Sequence, residues 1–94
     1  MELGGNIELF GADEYEENQL IVIKKLVGHY TKHFTENHPS FEGLRVTFDY
    51  HNGKYVLEAN VILGEESTSA EATHKNLYFA LDGALKQLAT KIEA

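Results

Sequence analysis

Between residues 44 and 63 apolar and polar side chains alternate, and the alternation keeps its phase across a turn. Leu44, Val46, Phe48 and Tyr50 alternate with Arg45, Thr47, Asp49 and His51, the period of a half-buried strand. His51-Asn52-Gly53-Lys54 then supplies an Asn-Gly pair, whose two residues tolerate the positive φ that a two-residue hairpin turn needs. Such a turn sets Tyr50 opposite Tyr55 and Phe48 opposite Leu57. It also puts Tyr55, Leu57, Ala59, Val61 and Leu63 on the face already chosen by Leu44 to Tyr50. Gly64-Glu65-Glu66 makes a second turn, leading to a strand over about Ser67 to Thr73 with Thr68, Ala70 and Ala72 facing inward.

On either side of this segment the period changes. Residues 6 to 10, NIELF, read as a short strand that runs into Gly11 and the acidic cluster DEYEE. That cluster suits a helix start, where carboxylates meet unpaired N–H groups. Leu20, Ile23, Val27, Tyr30 and Phe34 recur at spacings of three and four, the stripe of an amphipathic helix. The helix should end between Glu36 and Pro39, because the residue before a proline avoids helical backbone. Asn76 is placed to cap a last helix, whose core stripe is Leu77, Leu81, Ala84, Leu88 and Ile92. The order is β-α-β-β-β-α. It implies an α+β two-layer sandwich over residues 1–94, one domain, with a four-stranded sheet and both helices on one face. Arg45, Thr47, Asp49, Val56, Glu58, Asn60 and Ile62 are left on the solvent face of the sheet.

Composition narrows the function. No stretch is apolar over the roughly 20 residues that span a bilayer, and no basic-then-apolar leader opens the chain. With no cysteine there is no disulfide framework and no thiolate chemistry, which fits a cytoplasmic location. A net charge of −7 opposes generic, charge-driven attachment to nucleic acid or membrane. The cations are unevenly placed, however. Of seven lysines and one arginine, Lys24, Lys25, Lys32, Lys86 and Lys91 fall on the two helices and Lys75 just before the second. At about 100° per residue, Lys25 and Lys32 project to nearly the same side of the first helix and Lys24 to its flank. Side by side on the sheet, the helices would present a modestly basic surface on an acidic body. Exposed lysines also solvate ordinary helices, so this surface alone does not assign a partner. Phe79 falls opposite the Leu77/Leu81/Leu88 stripe, near Gly83 and Lys86. There it could stack on a base or, with Tyr78, anchor a protein contact.

Residues 69 to 92, SAEATHKNLYFALDGALKQLATKI, resemble the closing strand and helix of the hibernation-promoting factor family, the ribosomal subunit interface proteins that include the ribosome-associated inhibitor. Ala70-Glu71-Ala72 corresponds to the family's small-residue strand, and Asn76-Leu77-Tyr78 with Ala80-Leu81-Asp82 to the start of its basic helix. The element order and length are similar to those of the short members. The resemblance implies a fold like that of double-stranded RNA-binding domains. It also implies binding of the small ribosomal subunit in the channel for messenger and transfer RNA, which blocks translation or stabilises idle ribosomes under stress. Lys24, Lys25, Lys32, Lys75, Lys86 and Lys91 would then neutralise ribosomal RNA phosphates, which position a protein without reading sequence. Basic ribosomal proteins are further candidate partners. Gln87 and Thr90 stand where the family usually has lysine and arginine, with Lys86 and Lys91 each one residue out of register.

Other chemistry has less support. His29 and His33 share a helix face at i, i+4, with Glu36 or His38 as a third candidate ligand, but Tyr30 stands where a zinc-protease motif needs glutamate. Asp82 has no second carboxylate or histidine at a defined spacing for acid–base work. No enzyme, cofactor or metal site is expected. The alternative function is a non-catalytic protein-interaction module of the same fold that has lost RNA binding, using its acidic surface and Phe79. A weakly held second copy of the chain is one partner for it.

Overall fold

Asn52 and Gly53 carry φ angles of 51° and 77°, the left-handed pair that closes a two-residue hairpin without splaying its strands. The structure, a computed structural model, describes residues 1–4 and 6–93. Its strands are β1 (Ile7–Phe10), β2 (Phe41–His51), β3 (Lys54–Leu63) and β4 (Glu66–His74). The helices are α1 (Glu17–Asn37) and α2 (Leu77–Glu93), with a single 3-10 turn at Ala12–Glu14 before α1. The hairpin has the register that its turn requires, with Tyr50 paired to Tyr55 and Phe48 to Leu57.

The sheet order is β1-β2-β3-β4. β1 and β2 are parallel, Ile7 beside Leu44 and Leu9 beside Val46, and parallel neighbours need a crossover, which α1 provides. The other pairings are antiparallel. Residues before β1 turn back on it: Leu9 N–H donates to Met1 O at 2.7 Å and Leu3 N–H to Ile7 O at 3.0 Å. The outer edge of β1 is therefore partly occupied by its own chain.

Each helix start is fixed locally. Glu16 caps α1 reciprocally with Gln19, whose Oε1 accepts the Glu16 N–H at 3.0 Å, so the acidic cluster supplies the cap and not only favourable charge. α1 stops at His38, which is extended before Pro39. Asn76 Oδ1 accepts N–H groups from Tyr78 and Phe79 at 2.9 and 3.1 Å, a cap worth about 1 kcal/mol.

Both helices lie on one face of the sheet. α2 packs over β3 and β4, and α1 beside it toward β2. Ile23, Val27 and Phe34 from α1 meet Leu44, Val46, Leu57 and Val61 from the sheet and Leu81, Leu85 and Leu88 from α2, all fully buried. Two positions differ from the sequence pattern. Tyr50 is on the inward face yet 55% exposed, because β2 overruns the helix layer there. Its ring leans edge-on against Tyr55, 4.8 Å between centroids. Ala80, Leu85 and Ala89 are buried beside the expected stripe of α2, because this helix touches both the sheet and α1 and so needs a wider apolar face.

Candidate nucleic-acid interface

The helix layer carries the candidate cations. Lys24, Lys25, Lys32, Lys86 and Lys91 are exposed on α1 and α2, and Lys75 is exposed in the turn before Asn76. They do not converge on one pocket. Lys24 borders a hollow with Glu2, Leu3, Ile7 and Gly28. Lys86 and Lys91 border another with Gly83, Gln87 and Thr90. Lys32 Nζ stands 4.0 Å from Glu36, both side chains largely exposed, so this pair is worth only a few tenths of a kcal/mol and leaves the ammonium available. Lys91 Nζ donates to Ser69 O on β4 at 2.6 Å. A lysine lying on the outward carbonyl of an edge strand hinders pairing with another chain. Lys91 therefore already has a partner inside the molecule.

A seam between the helices sets their spacing. Tyr30 O–H donates to Asp82 Oδ1 at 2.9 Å, and His33 Nε2 meets Glu93. His33 Nδ1 also faces the Asn37 side-chain amide at 3.2 Å. Asp82, part of the segment carrying the resemblance, thus holds α2 to α1. This contact was not legible in spacing, because its partners are 52 residues apart. Among the described residues no three His, Cys, Asp or Glu side chains gather where one metal ion could be held.

Burial and then the bond to Asp82 push the Tyr30 hydroxyl up to about 12. A raised folded-state value means that folding favours the neutral phenol. The contribution is complete below the unfolded tyrosine value, near 10, and is lost as pH rises through about 12. Wild-type stability should therefore fall between about pH 10 and 12 more steeply than that of Tyr30→Phe. At neutral pH Tyr30→Phe should itself cost about 1 kcal/mol in urea unfolding.

Phe79 is 65% exposed and meets His74 edge-on, 5.2 Å between centroids. Tyr78 is half-buried against the core. Gly83 lies on the same flank of α2, tight over β4: a Cβ there would approach Ala72 Cβ to 3.3 Å. On the outer side of α1, Ile21 and Val22 are 50% and 37% exposed. The sequence pattern did not single them out, although both fall outside the Leu20/Ile23/Val27 stripe.

The opposite face of the sheet is acidic. Arg45 Nε lies 3.6 Å from Glu8, while Glu58 pairs directly with Glu71 across β3 and β4. The Asp49 carboxyl, which accepts the Tyr50 N–H and meets His51, is held below the ordinary carboxylate value by that backbone bond first and His51 second.

No family model matches the chain, and no curated protein matches it in sequence. Among solved structures it is similar to the N-terminal domain of Protein Y from Thermus thermophilus, with a TM-score of 0.71 at 22% identity over 94% of this chain and 96% of that one. It is also similar to a ribosomal subunit interface protein from Coxiella burnetii, with a TM-score of 0.58 at 18% identity over 95% and 97% of the two chains. Both are proteins of the hibernation-promoting factor family, the one that residues 69 to 92 resemble, and this chain has their fold.

Proposed function

We propose that this chain is a ribosome-binding protein of the hibernation-promoting factor type. It acts in the cytoplasm, without catalysis, by occupying the messenger and transfer RNA channel of the small subunit and so keeping ribosomes idle under stress. The observation that carries this reading is a fold shared over nearly the whole chain with a ribosomal subunit interface protein. The placement of the lysines supports it. The two-helix layer presents Lys24, Lys25, Lys32 and Lys86 to solvent, with Lys75 at its end, and the acids of the sheet lie on the opposite side.

This segregation lets an acidic protein approach RNA. The domain measures 18 Å along its shortest axis, and the Debye length at physiological salt is about 8 Å. A phosphate at the helix layer meets the lysines directly, while the sheet carboxylates stand farther away and act more weakly across exposed, salt-screened surface. Recognition is by shape and phosphate neutralisation, with no base reading.

Competition on isolated small subunits tests channel occupancy. Saturating protein should displace a short labelled messenger RNA, and excess messenger should displace the protein. Simultaneous binding of both would contradict this reading.

A further inference from the structure

We propose that the uncovered face of the sheet is a docking surface for an extended, arginine-bearing segment of a basic partner protein. Both helices cover the other face, so the outward side chains of all four strands meet solvent. Phe10 on β1 is 46% exposed. It borders a shallow, mixed hollow with Arg45, Thr47, Glu58, Asn60, Ile62 and Glu66, in which Phe10 and Ile62 are apolar and carboxylates outnumber the arginine.

Two carboxylates on this face are left uncompensated. Glu58 and Glu71 are direct cross-strand partners, an arrangement of like charges that destabilises a sheet. Among the described residues no lysine, arginine or histidine pairs with either. Arg45, the arginine of this face, is directed to Glu8, and the helix lysines belong to the opposite layer. Lys54, at the hairpin end of this face, pairs with neither carboxylate among the described residues, so a partner's cation can still serve the Glu58/Glu71 pair.

Arginine fits the requirement better than lysine. Its planar fork can donate to two carboxylates at once, and its flat face can stack on an exposed phenyl ring such as that of Phe10. An extended segment suits an open, gently twisted sheet, over which alternate side chains reach down about every 7 Å. RNA would meet the Glu58/Glu71 pair with like charge, and so would this face of a second copy. This surface is separate from the helix layer, so ribosome binding by the lysines and docking here stand or fall independently.

The test is titration of the isolated full chain with nona-arginine at about 0.15 M salt, followed residue by residue by amide NMR. Saturable shifts centred on Phe10, Thr47, Glu58, Ile62 and Glu71 are expected. Glu58→Gln combined with Glu71→Gln should weaken binding by about fivefold or more while raising the melting temperature, because the like-charge pair is removed. That opposite pair of effects is not expected of a merely structural role. Lys25→Glu with Lys32→Glu should leave the affinity unreduced. Shifts gathered instead on the Asp13 to Glu17 segment, shifts that never saturate, or undiminished binding by the double variant would each overturn the proposal. Self-association through this face without peptide binding would overturn it too.

Discussion

Changing Lys25, Lys32 and Lys86 together to glutamate should weaken small-subunit binding by at least about 100-fold, from three contacts of roughly 1 kcal/mol each before the added repulsion is counted. The three residues are exposed on helices whose backbones are held by the core and by the Tyr30–Asp82 bond, so the substitutions should leave melting almost unchanged. The salt response gives an independent measure. Releasing the counterions of about three phosphates makes affinity fall roughly 20- to 40-fold between about 0.05 and 0.2 M salt. The triple variant should lose most of that slope along with its affinity. Lys91→Glu should do less to binding, because its ammonium lies on Ser69 O, and more to the β4 edge that it covers. Equal binding by wild type and triple variant at every salt would exclude the helix layer as the contact surface.

Phe34→Ala should cost about 3–5 kcal/mol, the range for deleting a fully buried aromatic ring. Phe34 is fully buried and fills the end of the core where α1 meets β2. Its ring stacks on Phe41 at 6.3 Å and contacts Tyr30 at 6.3 Å. The flanking elements are tied down, α1 by α2 and β2 by β3, so the vacated volume cannot readily collapse. A domain of this size has roughly 5–15 kcal/mol in all, so the midpoint should fall by well over about 10 °C. Ribosome binding should fail in parallel, because the Tyr30 latch and the α1 lysines depend on the same helix position. A loss below about 1 kcal/mol in urea unfolding would mean that the Phe34 side chain does not set the packing of α1.

The hairpin was legible because two local signals agree: the Asn52-Gly53 turn fixes the same register as the alternation of Leu44 to Leu63. Asn76 was legible as a cap for a similarly local reason, since its oxygen reaches only N–H groups within its own first turn. What escaped depends on distant partners. The parallel pairing of Ile7 with Leu44 has no local signature, because the crossover helix lies between them. The burial of Leu85 and Ala89 follows from α1 lying against α2, which one helix's periodicity does not contain. Asp82 has no local partner in the sequence, and the tyrosine that engages it lies a whole hairpin and a strand away. Glu58 opposite Glu71 was not legible, because the expected second turn ran over Gly64-Glu65-Glu66, whereas only Gly64 and Glu65 lie between the strands and Leu63 pairs with Glu66. The candidate lysines were all found on the helices or in the turn before the second. Their division between two hollows, and the tie of Lys91 to Ser69, required the packed structure.

Ribosome binding is tested most directly by sedimenting the purified protein with ribosomal subunits through sucrose gradients, first at low and then at moderate salt. Comigration with the small subunit that is lost as salt rises is the expected result, and it would make Lys25, Lys32 and Lys86 the contacts to map next. Protein that stays at the top of the gradient at both salts would contradict ribosome binding and leave a shared fold with a different partner.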